Sequence, residues 1–198
     1  GLGDVYKRQS VDLADWKLHT DRENFATGVQ RIRDLIAAGD LFQANLTACC
    51  CTTWPPEASS LELFIKLRQR CPAPFAGLVI GNNDEALLSC SPERFLQVDA
   101  MGRVQTRPIK GTRPRHGNPD KDADLAAELV CSDKDRAENV MIVDLLRNDI
   151  GRVCKPGSIQ VPQLVGLESY APVHHLTSVV EGQLKNELTW VDLLEACW

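Results

Sequence analysis

Residues 75–107 alternate short extended runs with turn-forming residues, and this pattern restricts the fold more than any other part of the chain. The extended runs cover residues 75–80, 85–90, 94–98 and 103–107. Residues 81–84 (Gly-Asn-Asn-Asp) and 99–102 (Asp-Ala-Met-Gly) separate them, and both have turn compositions. The pattern predicts an antiparallel meander.

Helical periodicity surrounds this block. Apolar residues at helical spacing predict helices over residues 21–38, 59–70, 120–130 and 133–147, and a last helix from about residue 188. Residues 41–53 and 158–183 are predicted to be extended. Runs of strands with segregated helices are typical of an α+β protein, with large antiparallel β-sheets flanked by helices.

Charge and hydropathy narrow the class of protein. The net charge is −5, from 22 basic and 27 acidic residues, whereas proteins that bind nucleic acid carry a basic surplus. The longest apolar run, residues 140–146, is interrupted by Asp144 and is much shorter than the roughly 18 residues that span a bilayer. We therefore expect a cytoplasmic protein with no nucleic-acid and no membrane partner.

The eight cysteines predict free thiols. None of them forms a Cys-x-x-Cys pair, so a zinc site has little support. The run Cys49-Cys50-Cys51 is predicted to lie in a strand, where neighbouring side chains point to opposite faces and cannot chelate one ion together. Without a secretory segment, the thiols are expected to act as small buried hydrophobes.

Both ends of the sequence affect the domain assignment. Residues 1–9 have no apolar periodicity and look like a non-native scar, so they are excluded from fold reasoning. The sequence stops within an apolar helical pattern at residues 191–196. We therefore expect residues 10–198 to be the N-terminal part of a catalytic domain that is incomplete at its C-terminus.

Glu93 is the first candidate for chemistry. It lies in Ser-Pro-Glu-Arg-Phe, residues 91–95, at the junction of two predicted strands. The structural alternative is an ion pair with Arg94 or Arg107 across a sheet.

Lys110 is the second candidate. It lies in Arg-Pro-Ile-Lys-Gly-Thr-Arg-Pro-Arg, residues 107–115, where Gly111 allows a ligand to approach the backbone. The two arginines that follow, Arg113 and Arg115, favour the uncharged amine that nucleophilic catalysis requires. The structural alternative is a solvated turn lysine.

Asp135 and Glu138 form a candidate metal site. They are three residues apart on a predicted helix, so both carboxylates lie on one face. Magnesium usually takes one or two protein carboxylates, with water completing its shell. Alternatively, Asp135 belongs to a capping box with Ser132. Farther along this helix, Asp144 is expected to pair with Arg147.

A histidine pair, His174 and His175, lies in a strand-like run at residues 173–178. Adjacent strand residues face opposite ways, so at most one of the two can enter a given cleft. The structural alternative is a histidine that is hydrogen-bonded within the core.

Together these segments resemble the chorismate-utilising enzymes, which include anthranilate, aminodeoxychorismate, isochorismate and salicylate synthases. The similarity rests on the four segments taken in order, including Asp-Arg-Ala-Glu-Asn-Val-Met-Ile-Val-Asp-Leu-Leu-Arg-Asn-Asp at residues 135–149 and Val-His-His-Leu at 173–176. A further similar segment, Gly-Asp-Leu-Phe-Gln-Ala-Asn-Leu, lies at residues 39–46. The resemblance implies the α+β fold of anthranilate synthase component I.

Lys110 separates the branches of this family. Aminodeoxychorismate synthases resemble the sequence at Pro-Ile-Lys-Gly-Thr, whereas anthranilate synthases typically have alanine in place of the lysine. The resemblance implies amination of chorismate to 4-amino-4-deoxychorismate, on the route to p-aminobenzoate and folate, with a glutamine amidotransferase subunit supplying the ammonia. An anthranilate synthase and a non-catalytic binding module are the alternatives.

The resemblance also implies roles for individual residues. Lys110 would attack C2 of chorismate, Glu93 would protonate the departing C4 hydroxyl, and His175 would lie near that leaving group. Substrate contacts are implied at Gly111 and Thr112, and Mg²⁺ ligands at Glu138 and Asp135.

Two departures from the family pattern limit these expectations. The shorter reach of Asp135, at a position that is often glutamate, weakens its case as a direct ligand. Family segments that would follow Trp198, including a second acidic metal motif, are not in this sequence, so the chain by itself is expected to be inactive.

Overall fold

The computed structural model describes residues 16–56, 58–83, 85–170 and 172–198. Residues 1–9, interpreted above as a scar, lie outside these ranges. The chain divides into two compact units, Gly1–Ser59 and Ser60–Trp198, and each is described by itself.

The first unit contains one long helix and one short strand pair. Its elements are β1 (Lys17–Leu18), α1 (Arg22–Ala38) and β2 (Cys50–Cys51). The predicted helix is confirmed: Asp21 accepts a hydrogen bond from the Asn24 amide at its start, and Gly39 ends it with a φ of 85°. Within residues 41–53, which were predicted to be extended, β2 is the part paired in a sheet, antiparallel to β1.

The second unit contains most of the secondary structure. Its elements are α2 (Ser60–Arg70), β3 (Phe75–Ile80), β4 (Ala86–Ser91), β5 (Gln97–Val98), β6 (Arg103–Thr106), β7 (Ile109–Pro114), α3 (Pro119–Val130), α4 (Asp133–Val153), β8 (Gln160–Ser169), β9 (Val173–Gln183) and α5 (Trp190–Cys197).

Strand β9 is the centre of a five-stranded antiparallel sheet. Along one edge it pairs with β7 through residues 173–177 and with β6 through residues 180–183, so β6 and β7 lie end to end. Along its other edge it pairs with β8. Strand β5 extends the sheet beyond β6. The arrangement confirms the α+β prediction.

The predicted single meander is wrong, because its four strands belong to two sheets. β3 and β4 form a separate hairpin, whereas β5 and β6 join the larger sheet. The break falls after Ser91, where Pro92 has no N–H to continue the ladder.

Helix α4 packs across β7 and β9 and contributes much of the core. It continues to Val153, six residues beyond the predicted end at Arg147, because Ile150 and Val153 prolong its buried face. The predicted pairing of Asp144 with Arg147 is confirmed at 2.8 Å. The main core comprises Val104, Val143, Ile150, Val153, Cys154, Val180, Leu184 and Leu193. In the described part of the chain, no helix combines the length and apolarity needed to cross a bilayer.

All eight cysteines are free, which confirms the predicted thiol state. Their expected burial is wrong for five of them, since only Cys154 is fully buried and Cys90 and Cys197 are partly so. The exposed thiols are Cys49, Cys50, Cys51, Cys71 and Cys131.

Candidate active site

Strand β7 is the element on which the predicted motifs meet. At its first residue, the Ile109 amide donates a hydrogen bond to Glu93 Oε1 over 2.7 Å. This contact brings the segment that follows β4 against the start of β7. The alternative ion pair of Glu93 is wrong, because Arg94 and Arg107 bond other side chains. Glu93 is exposed, so burial does not assist an acid role in the described residues.

Gly111 brings β7 into close contact with the two helices beneath the sheet. Its φ of 81° lies in the left-handed region, and the β7–β9 register shifts between Lys110 and Thr112. A Cβ at position 111 would stand 2.8 Å from Leu129 Cδ1 and 2.9 Å from Asp135 Cβ. Glycine is therefore required on both conformational and steric grounds.

Thr112 positions one histidine of the predicted pair. Its Oγ1 lies 2.9 Å from His175 Nδ1, and the Tyr170 ring centroid lies 6.0 Å from the His175 ring centroid. His174 points the other way, is buried, and lies 3.1 Å from an Asp122 oxygen. The expectation that only one of the two enters a cleft is confirmed, and His174 is the core histidine.

Arg113 and Arg115, the arginines that follow Lys110, form ion pairs with carboxylates. Arg113 pairs with Glu128 at 2.8 Å and with Asp135 at 3.4 Å, and Arg115 pairs with a carboxylate of α3. The hydrogen bond with Glu128 is the main cause that raises the pKa of Arg113. Both arginine charges are thus compensated by carboxylates of α3 and α4, and the expected effect of these arginines on Lys110 stays a prediction.

Lys110 itself is half-buried in β7, opposite Leu176 of β9. Within the described residues, Lys110 Nζ forms neither a hydrogen bond nor an ion pair. No contact with these residues therefore competes with a ligand for the Lys110 amine.

The carboxylates of Asp135 and Glu138, the predicted metal ligands on α4, differ in the contacts that they already make. Asp135 bonds Arg113 and lies in the first turn, where its amide donates to Ser132 Oγ over 3.3 Å. This is one half of the predicted capping box; the other half is not formed, because the Ser132 amide bonds the Leu129 carbonyl. Glu138 has only a 3.8 Å pair with the exposed Lys134, and 42% of its side chain is accessible. A partly exposed carboxylate with free oxygens suits Mg²⁺, which keeps several waters, so Glu138 fits the implied ion better than Asp135.

A large cleft lies beside β7 and β9 on the His175 face. Its volume is about 1270 Å³. Of the predicted site residues only His175 lines it, together with Pro92 and Ile109, the sequence neighbours of Glu93 and Lys110. The other polar side chains that line it are Arg68, Gln69, Arg70, Arg94, Arg107, Glu168, Tyr170 and Thr177.

The cleft contains polar contacts that the sequence did not reveal. Glu168 receives hydrogen bonds from Arg107 at 2.5 Å and from the Tyr170 hydroxyl at 2.6 Å. Thr177 is 2% exposed, and its hydroxyl has no hydrogen-bond partner in the described ranges. A buried, unpaired hydroxyl in a cleft wall is suited to a ligand or a water.

Protonating Glu168 is expected to weaken the second unit. Burial raises the pKa of Glu168, but hydrogen bonds from Tyr170, Gln163 and Arg107 outweigh it and leave the pKa below the ordinary 4.5. The resulting stabilisation is fully present above about pH 4.5, the unfolded value, and is lost as the pH falls through the lower folded value. Glu168→Gln should cost about 1–2 kcal/mol at pH 7 and less at pH 3.5, measured by urea unfolding.

The exposed Glu187 provides a matched control. Glu187→Gln should change the unfolding free energy little at either pH. An equal loss for Glu168→Gln at both pH values would contradict the assigned ion pair.

The fold and the site define a class of protein: an α+β scaffold with an arginine-containing cleft beside a lysine, a carboxylic acid and a histidine. Residues 6–198 match the chorismate binding enzyme family, and the chain belongs to that family. It is 43% identical over 183 residues to aminodeoxychorismate synthase component 1 of Klebsiella aerogenes, covering 92% of this chain and 40% of that protein. The corresponding protein of Escherichia coli K12 is 41% identical over 185 residues, with coverage of 93% and 40%.

Solved structures agree with this assignment. Anthranilate synthase component I from Streptococcus pneumoniae superposes with a TM-score of 0.79 at 34% identity, covering 92% of this chain and 39% of that one. The shared architecture confirms the predicted fold type. The chain spans about two-fifths of the length of the curated relatives it matches.

Proposed function

We propose that this chain is part of an enzyme that aminates chorismate to 4-amino-4-deoxychorismate, the precursor of p-aminobenzoate. The observation that carries the proposal is the convergence on β7: Glu93 bonds Ile109, Asp135 packs on Gly111, and His175 bonds Thr112. Lys110 lies at the centre of that segment with an unengaged amine. Relatives at 41–43% identity named aminodeoxychorismate synthase support the same reaction.

The proposed chemistry assigns one step to each reacting group. The Lys110 amine adds to C2 of chorismate, the ring double bonds shift, and the C4 hydroxyl leaves as water with a proton from Glu93. Ammonia then adds at C4, the double bonds shift back, and the C2–nitrogen bond breaks to release the Lys110 amine. The net reaction consumes ammonia and releases water.

His175 and the residues around it would orient the substrate. The bond from Thr112 to Nδ1 fixes the imidazole at the cleft wall, where it can contact the departing hydroxyl. Arg94, whose guanidinium bonds the neutral Gln105 side chain, supplies positive charge for a substrate carboxylate, and the free Thr177 hydroxyl supplies a hydrogen bond. Gly111 would let the backbone approach a second carboxylate.

The magnesium requirement belongs to the proposal as well. Glu138 would hold the ion, with Asp135 as a second ligand if Arg113 releases it. When bound, Mg²⁺ supplies positive charge to the ring carboxylate of chorismate. No further histidine, cysteine or carboxylate in the described ranges completes a three-ligand group with these two residues.

Two points remain in the proposal: the protein that supplies ammonia and the cellular location of the enzyme. The name component 1 of the relatives implies a partner component, and we propose that a glutamine amidotransferase subunit fills that role. The cytoplasmic location predicted from the sequence stays a prediction.

Product analysis tests the function. A chain completed to the length of its relatives is incubated with chorismate, ammonia and Mg²⁺, and the products are separated by chromatography. We expect 4-amino-4-deoxychorismate and no anthranilate, and we expect the 198 residues alone to be inactive. Fluorescent anthranilate would support the anthranilate synthase alternative, and chorismate binding without turnover would support a non-catalytic module.

A further inference from the structure

Three side chains with soft-metal ligand atoms meet on the β1–β2 strand pair of the first unit. His19 Nε2 lies 3.0 Å from Cys51 Sγ, and Cys49 Sγ lies 3.8 Å from Cys51 Sγ. One ligand atom from each residue falls within 4.8 Å of both others. All three residues are exposed, so an ion can reach them from solvent.

The antiparallel register explains why these side chains share one face. Leu18 pairs with Cys50, and the His19 amide donates to the Cys49 carbonyl over 2.9 Å, so His19 stands opposite Cys49. Directly opposite residues point to the same face, as do residues two apart. Cys49, Cys51 and His19 therefore converge, while Cys50 points to the other face.

This geometry corrects the expectation that the cysteine run cannot chelate. The alternation holds for neighbouring cysteines but leaves the first and third thiols on one side. The spacing rule for Cys-x-x-Cys pairs missed the cluster, because the third ligand comes from another strand.

The distances fit a tetrahedral ion. Bonds of about 2.3 Å from a metal to two sulfurs at tetrahedral angles place those sulfurs about 3.8 Å apart. The Cys49–Cys51 separation is 3.8 Å. An imidazole nitrogen at about 2.0–2.1 Å from the same ion stands about 3.6 Å from each sulfur. The observed distance from His19 Nε2 to Cys51 Sγ, 3.0 Å, is shorter than this by about 0.6 Å.

We propose that His19, Cys49 and Cys51 bind one thiophilic divalent cation, Zn²⁺, with water as the fourth ligand. Two thiolates and an imidazole select zinc over magnesium or calcium, which prefer oxygen ligands. The ion joins β1 to β2 across a ladder of only two residues per strand, a length that is marginal without further support. The site is independent of the proposed chorismate chemistry.

Cobalt substitution tests the site on the reduced 198-residue chain. Titration with Co²⁺ should give one equivalent of a tetrahedral spectrum with thiolate charge-transfer bands, and Zn²⁺ should displace it. Cys49→Ser, Cys51→Ser and His19→Asn should each weaken binding more than about 10-fold. Zn²⁺ should also raise the thermal midpoint of the wild-type chain.

Cys50→Ser is the matched control, because it removes a thiol from the same run on the opposite face. It should leave the cobalt affinity unchanged. A wild-type chain without a tetrahedral cobalt spectrum would overturn the proposal whatever the variants do. Equal losses for Cys50→Ser and Cys49→Ser, with the fold checked by circular dichroism, would also overturn it.

Discussion

Replacing Lys110 with alanine is expected to lower amination of chorismate by at least about 1000-fold in a chain completed to its relatives' length. The reason is that the proposed covalent step has no substitute amine, since nearby Arg113 and Arg115 are held by carboxylates and guanidinium groups remain protonated. The direct measurement is the intact mass of the protein with chorismate and Mg²⁺ but no ammonia. Wild type should carry chorismate less one water, and Lys110→Ala should carry no adduct.

Two further variants separate nucleophilic attack from simple charge. Lys110→Arg keeps a positive group but no nucleophile, so it should be as inactive as the alanine variant. Lys121→Ala removes an exposed lysine of α3 and should retain full activity. Substantial activity of Lys110→Arg would show that position 110 contributes charge and not a covalent bond.

The largest loss of stability is expected from Gly111→Ala, at about 2–4 kcal/mol. Two costs combine at this position. Alanine is strained at a φ of 81°, and its Cβ would come within 2.9 Å of Leu129 and Asp135 side-chain atoms. Urea unfolding, with far-UV circular dichroism as the readout, measures the change.

The chain offers controls that separate the two costs. Gly157 has a φ of 75° with nothing within 4 Å of its Cβ position, so Gly157→Ala should lose about 1 kcal/mol from strain alone. Gly77 in β3 has neither the strained φ nor a close neighbour, and Gly77→Ala should be near neutral. Equal losses at positions 111 and 157 would contradict the close packing of α3 and α4 beneath β7.

Local sequence patterns predicted the helices and strands of this fold better than they predicted which strands pair with each other. α1 and α2 were predictable from apolar periodicity and from stops at Gly39 and Pro72. The end of α4 was not, because the helix predicted to end at Arg147 continues to Val153 through the burial of Ile150 and Val153. The division of the strands into two sheets depends on contacts with β9, which no local window contains.

The candidate site shows the same limit. The motifs identified Glu93, Lys110 and His175, and the structure brings the segments of Glu93 and His175 into contact with β7, which carries Lys110. The contact between Arg107 and Glu168 was not predictable, because 61 residues separate the partners. The sequence offered one signal for this part of the site. Glu168 and Tyr170 are two residues apart in a run predicted to be extended, and this spacing places both side chains on one face.

Because β9 is the shared partner of three strands, the order of synthesis matters for this chain. The contact of β8 with β9 is local, whereas β6 and β7 emerge from the ribosome long before residues 173–183 exist to pair with them. Their unpaired backbone edges are templates for association with other chains. A mutation that delays or weakens β9 should therefore appear first as poor recovery of soluble protein during expression, before any loss of function in the folded molecules.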